Sequence, residues 1–510
     1  MTPTLAALAD FPDRLSPMLV KELRQGLRAR TFIVVFLTLQ ALLAIILLTA
    51  SGAADSDKIG IIISRIIFIF FSVAVLLVQP LRGMNAVHSE IKGRTIDLMM
   101  LSRLSAWRIV LGKWVAIVSQ SALLLAAILP YLVLRYFFGR MNLFGELSLL
   151  AAVFCVSMFF TAVTVGLSAI PSVLIRAVLP LIGMPLLMIY ILGVFMSPFF
   201  QETVDIFTFS TPEAKIGVPL VAAILFYLGW TALGLAAGLV APPAENHSTV
   251  RRLVALAIML VCIGIAVIDP FSPLPVPGPG PGPGNVLSHY SLSNPVWIPY
   301  VLPTLFICLA PAIAIALTEQ SRLVPSVCKP FVRFGWFGRL AGRFLYPGWP
   351  SGVFFTGLLG ILLAVFVRLA YRDYDPDTQQ LVLIFSWFGT LLFPALVVIP
   401  FARKLRSMIT SYILIGFASG IFTGLLAILA GVMGRTHSAF LWFFFWLPPV
   451  HVVLGSYSRD PSTETVLVLS VAWNILLLLI LIVFAAVHNK SISHTEHSRD
   501  QRPETRGQRS

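Results

Sequence analysis

The sequence predicts an all-α polytopic membrane protein, with about 12 transmembrane helices plus re-entrant elements arranged as two six-span halves. Three observations carry that expectation. Of 510 residues, 58% are hydrophobic and only 11% charged, with a mean hydropathy of +0.92; soluble domains carry about 25% charged residues. Runs of roughly 18 or more apolar residues recur along the chain, from Thr31 to Val487. The net charge of +14 is unevenly spread. With the N-terminus on the cytoplasmic side, cytoplasmic segments hold 27 of the 36 Lys and Arg, which is the positive-inside asymmetry. The basic balance therefore reports topology, and no nucleic-acid partner is expected.

The elements follow in order. Residues 1–30 form a cytoplasmic N-terminal region ending in the basic stretch KELRQGLRAR (21–30). Asp10, Asp13 and Arg14 interrupt the start, so the pattern is not that of a cleavable signal, and the first span is expected to act as an uncleaved anchor. Spans are expected at 31–50, 59–81, 110–134, 147–170, 173–196 and 216–241, making a six-span domain over 31–245 with a long cytoplasmic loop at 82–113. An outer stretch mixing aromatics and acids, 197–215, precedes the sixth span.

A second six-span domain, whose role the sequence does not assign, is expected over 246–487, with spans at 253–268, 296–317, 352–371, 381–400, 408–432 and 465–487. Its Pro/Gly repeat at 269–286 cannot form a helix and reads as an extended outer loop. Its cytoplasmic loop, 318–350, carries Arg322, Lys329, Arg333, Arg339 and Arg343. The apolar stretch 439–453 is short and centred on Pro448–Pro449, which favours a re-entrant or interfacial hairpin over a thirteenth span. Residues 488–510 read as a disordered basic cytoplasmic tail.

The chemistry on offer is sparse. Intramembrane carboxylates usually mark ion or proton pathways, but all 22 Asp and Glu fall in loops or at span ends. Asp269, Glu319 and Glu146 come nearest to lipid, and the eight histidines also sit outside span centres. That pattern disfavours a secondary carrier. Arg65 and Arg368 are the charges within spans. Arg65 reads either as a side chain snorkelling to the interface or as part of a substrate pathway. Phosphate-loop, GxSxG and HExxH patterns do not occur, and the four cysteines show no metal spacing. Catalytic residues, cofactors and metals are accordingly expected to be none. Asp373, Asp375 and Asp377 read as a solvated turn, or as the acids of a membrane-embedded enzyme acting on lipid-linked substrates.

One segment breaks the apolar pattern: SEIKGRTIDLMMLSRLSAWRIVLGK, residues 89–113. Ile96, Met99, Met100 and Leu104 recur at helical spacing with Asp97, Ser102 and Arg103 between them, which describes a short amphipathic surface helix. Trp107 then reads as an interface anchor ahead of the third span.

This segment resembles the cytoplasmic loop of type-2 ATP-binding-cassette (ABC) transporter permeases. The matching positions are Glu90, then Gly93 with Thr95, Ile96 and Asp97, then Leu104 and Ser105, then Ile109, Gly112 and Lys113. Ser102–Arg103 stands where the family often has Thr-Pro. SPMLVKELRQGLRAR (16–30) is similar to the family's amphipathic elbow helix, represented here by Lys21, Glu22, Arg24 and Arg28.

The resemblance covers about residues 14–245. It implies a permease subunit of the bacterial cytoplasmic membrane, not itself an enzyme, paired with a separate ABC ATPase subunit and working by export. Glu90, Gly93, Thr95, Ile96, Asp97, Met100, Arg103, Leu104 and Arg108 would form the coupling helix that docks on that ATPase. The family works as dimers of six-span units, so a dimerisation partner is implied, and the second half is either a diverged internal partner or an added domain.

Overall fold

The computed structural model describes residues 17–51, 59–96, 104–136, 142–242, 245–268, 298–320, 323–372, 378–405, 407–433, 435–457 and 462–497. Among these residues the chain is helical and contains no strand. Twelve of the described helices are long and apolar enough to cross a membrane. The chain forms two compact units, Met1–Ala241 and Pro242–Ser510, with six of those helices in each.

In the first unit, α1 (Pro17–Leu27) precedes the span α2 (Arg30–Ser51). The second span begins as α3 (Ile59–Ser72), passes through a π-turn at Val73–Val78, and continues by short turns into α4 (His88–Lys92). Sequence hydropathy ended this span at residue 81, whereas the helical path runs on to Lys92. The third and fourth spans are α5 (Ala106–Tyr136) and α6 (Leu143–Leu167). The fifth, α7 (Leu179–Met196), leads to the short α8 (Phe200–Ile206), and α9 (Pro212–Val240) closes the unit.

Local chemistry explains several of these features. Asn142 caps α6 by accepting from the Gly145 amide, and Thr211 caps α9 by accepting from Ala214, with Pro212 at the first helical position; both are favoured helix starts. The π-turn arises just ahead of Pro80. In π spacing the Gln79 amide donates to Ala74 O, so the next donor, for Val75 O, would be residue 80. Proline has no N–H. The Ser157 hydroxyl of α6 supplies the bond to Val75 O at 2.8 Å, satisfying a carbonyl that lipid could not.

In the second unit, α10 (Ser248–Ile268) and α11 (Ile298–Thr318) are followed by two short helices, α12 (Pro325–Val332) and α13 (Gly335–Leu345). The spans α14 (Trp349–Ala370), α15 (Thr378–Val398) and α16 (Met408–Met433) come next. The apolar stretch expected to form a hairpin folds as a 3-10 helix, Arg435–Phe444, and α17 (Pro448–Tyr457), neither long enough to span. The two prolines stand at the start of α17, where a missing N–H costs nothing. The last helix is α18 (Ser462–His497). His451 of α17 is fully buried, with one ring nitrogen 3.0 Å from Ser470 Oγ and the other 2.7 Å from Phe445 O.

Helices in lipid gain little from hydrophobic segregation and pack through small residues. A close backbone approach in the first unit follows that rule. A Cβ placed on Gly166 of α6 would lie 2.8 Å from the carbonyl carbon of Ala232 on α9. We expect Gly166→Val to destabilise the unit by about 1–3 kcal/mol, read as a lower thermal midpoint of the purified chain. An unchanged midpoint would show that α6 and α9 can separate without cost.

Candidate partner-docking site

The elements singled out in the sequence converge at one end of the first unit. Lys113 of α5 is 6% exposed, and its Nζ lies 3.0 Å from Glu22 Oε1 and 3.1 Å from Glu90 Oε1. Glu22 belongs to α1 and Glu90 to α4, so one ammonium joins three elements. The Thr95 hydroxyl donates to the Glu90 carboxylate and lies 3.2 Å from the Glu90 carbonyl oxygen. Both carboxylates keep some exposure, 17% and 18%. A cation this buried is stable only when paired and hydrogen-bonded, and two acids on separate elements meet that need.

A second tie lies along α5. Arg82 Nη1 donates to Gln79 Oε1 at 2.8 Å and to Gln120 Oε1, while its Nη2 reaches Gly26 O at 3.5 Å. Gly26 matters here because a Cβ would meet the end of the Gln120 side chain, so a larger residue there would displace Gln120 from Arg82. The Val87 amide donates to Ser168 Oγ at 3.1 Å, and Trp114 Nε1 donates to Met158 O at 3.0 Å. These bonds fix the residues before α4 and the start of α5 against α6 and the turn that follows it.

Glu22 of the expected elbow helix, and Glu90 and Thr95 of the expected coupling segment, are thus gathered around Lys113. Ile96 is buried, and Thr95 and Ile96 are helical, at the start of the expected amphipathic helix. Asp97, Met100 and Arg103 lie outside the described residues. Leu104 is half-buried, while Gly93 and Arg108 are exposed. Lys21, Arg24 and Arg28 are exposed along α1, beside an open cleft of about 700 Å³ that they line with Val20 and Gln25.

The left-handed residue in this turn is Arg94, at φ 54°, whereas Gly93 has an ordinary φ of −76°. A non-glycine residue at positive φ is uncommon and frequently marks a constrained site.

Arg65 is not part of this cluster. It sits near the opposite end of the same span, some 25 residues or roughly 37 Å along the helix. Its Nη2 donates to Ser197 O at 2.9 Å, and its guanidinium lies over the Phe200 ring, 5.7 Å from the centroid. Those contacts brace α3 against the α7–α8 turn.

A buried cluster at that far end has no counterpart in the sequence reading. Glu146 stands at the start of α6, as its span boundary implied, yet it is only 3% exposed. It accepts from Ser64 Oγ at 3.0 and 2.9 Å and pairs with Arg135 Nη2 at 3.4 Å. Arg135 Nε donates to Gly60 O at 3.0 Å. Sequence spacing could not join positions 64, 135 and 146, which lie on three different spans.

Asp373, Asp375 and Asp377 lie outside the described residues. Among the described residues, no group of three or more His, Cys, Asp and Glu gathers as a metal ion would require. Comparison of the chain with family models, curated proteins and solved structures finds no match.

The ammonium-centred cluster yields a direct expectation. Lys113→Met should cost about 2 kcal/mol, less than a fully buried pair because the carboxylates stay partly hydrated, and thermal unfolding of the purified chain would read it. The double variant Glu90→Gln/Lys113→Met should regain part of the loss by relieving two facing carboxylates. Equal midpoints for single and double variants would mean the three groups do not interact.

Proposed function

We propose that this chain is the membrane-spanning permease subunit of an ABC transporter, moving a substrate outward with ATP hydrolysed by a separate subunit. The observation that supports this best is the Glu22–Lys113–Glu90 cluster. It joins the amphipathic helix before the first span, the segment after the second, and the start of the third. A push delivered to residues 90–108 by a docked ATPase would reach all three at once. The exposed Lys21, Arg24, Arg28, Lys92, Arg94 and Arg108 frame a basic surface for such a partner.

In this reading the N-terminus is cytoplasmic, the chain resides in a bacterial cytoplasmic membrane, and the second unit is an internal partner or an added domain. Chemistry stays with the partner, and the permease contributes the path and the lever. The segment that starts at Thr95 seats in the ATPase, and Lys113 carries its displacement into α5.

The test is to purify the tagged full-length chain gently from its own cells and identify an accompanying ATPase. Reversing both charges, Asp97→Arg with Arg103→Asp, should release that subunit while the thermal midpoint of the membrane chain holds. An ATPase that stays bound and coupled to the reversed chain would overturn the assignment of the docking segment. Purification with no ATPase under any gentle condition would overturn the transporter reading.

A further inference from the structure

The loop after the second span of the second unit folds as a hairpin of helices with an unusual outward face. From Gln320 to Pro350 the sequence contains no Asp or Glu, against Arg322, Lys329, Arg333, Arg339 and Arg343. The nearest carboxylate, Glu319, is turned inward. It accepts from Ser248 Oγ at 2.6 Å and from the Gly348 amide at 3.2 Å. Arg252 Nη2 lies 3.0 Å and Arg251 Nη2 3.4 Å from its oxygens. Glu319 is therefore fully engaged by the starts of α10 and α14, and Lys329, Arg333, Arg339 and Arg343 make no ion pair with any described residue.

The hairpin is fastened at its base. Arg252 also donates to Phe344 O at 2.9 Å and Gly348 O at 3.0 Å, and the Thr249 hydroxyl donates to Leu345 O at 3.0 Å. The bonds to Phe344 O and Leu345 O satisfy carbonyls at the end of α13, which helix geometry leaves open. Gly335, at φ 64°, makes the bend between α12 and α13. The inner side of α13 is Gly338 and Gly342, both buried, and a Cβ on either would strike Phe331 O or the Tyr346 ring.

The outer side of α13 is divided. At about 100° per residue, the exposed large side chains run in the order Arg339, Arg343, Trp336, Leu340 and Phe337. A basic edge thus adjoins an aromatic face. Phe334, Trp336 and Phe337 are 76%, 68% and 74% exposed, well beyond what scattered surface aromatics require. Helices that lie in a bilayer interface have this build, with rings at acyl-chain level and cations at phosphate level.

We propose that α12 and α13 form a binding surface for anionic phospholipid headgroups of the bilayer bordering the ends of α11 and α14. Trp336 and Phe337 enter the leaflet, and Arg339 and Arg343 take the phosphates, with Lys329 and Arg333 extending the basic surface. A chain with no acid between Glu319 and Asp373 complements a negative surface and repels none of it. This inference does not depend on the transporter reading.

The experiment compares the full-length chain with Arg339→Gln/Arg343→Gln, and with Arg403→Gln/Lys404→Gln, which removes the same charge from an exposed site elsewhere in the unit. Each is placed in discs of mixed phosphatidylcholine and phosphatidylglycerol, re-extracted, and assayed for retained lipid by mass spectrometry. Retained phosphatidylglycerol should fall about tenfold in the first variant and hold in the second. In discs of acyl-brominated phosphatidylglycerol, the emission lost on Trp336→Phe should be strongly quenched in the parent chain.

Equal loss in both charge variants, or Trp336 emission untouched by bromine, would overturn the proposal. So would release of a co-purifying ATP-hydrolysing protein by Arg339→Gln/Arg343→Gln with lipid retention unchanged, because the surface would then be a protein dock.

Discussion

The first unit is organised around a single ammonium. Lys113 is almost wholly removed from solvent, and a lone cation there would be prohibitively unstable. Its two carboxylates come from α1 and α4, so these elements cannot leave α5 without exposing or orphaning a charge. The second tie, from Gly26 through Arg82 to Gln120, lies one turn further along α1 and about two turns along α5. Two points fix both the position and the direction of α1, which a single apolar contact would leave free to slide.

The sequence revealed what is local and concealed what is distant. Twelve spans were legible because each is a contiguous run of apolar residues, and the stretch around Pro448–Pro449 was legible because its length ruled out a span. The continuation of the second span to Lys92 was not. Its polar residues read as a loop, yet Arg82 and Glu90 find partners on neighbouring helices. Arg135, Glu146 and Ser64 were equally hidden, as was the engagement of Glu319 by Arg251, Arg252 and Ser248. Such partners are set by helix packing, and no periodicity within one span encodes them. The candidate docking segment itself stood out, because a charged amphipathic run is conspicuous among spans. The role of Lys113 as its internal anchor became visible only with α1 and α4 in place.

Each unit carries a helical segment at or just past the end of its second span, and the carboxylate decides what that segment presents. In the first, Glu90 sits within the segment and binds Lys113, while Asp97 alternates with the basic residues beyond it. Among the described residues the exterior there is basic, with Lys92, Arg94 and Arg108 exposed and Glu90 drawn onto Lys113. In the second, the single acid lies just before the segment and is consumed by two arginines. What remains outward is basic and aromatic. The two segments stand at corresponding places in the order of their own units, and on the proposals made above one docks a protein and the other a lipid surface.

Rigidity in the first unit comes from polar ties at both ends and close packing between them. Apolar side chains gain little by choosing a neighbouring helix over lipid, so directional bonds and small-residue contacts set the geometry. At one end stands Glu22–Lys113–Glu90. At the other, Arg135 and Glu146 tie α5 and α6 to α3, while Arg65 ties α3 to the turn after α7. Between them, Gly166 brings α6 against Ala232 of α9. Displacing either end of α5 therefore strains a buried ion pair, at Lys113 or at Arg135. On the proposed function that is the property a permease needs. Displacement of the segment near Thr95 becomes movement at Arg135, a full span away, only if α5 does not absorb it.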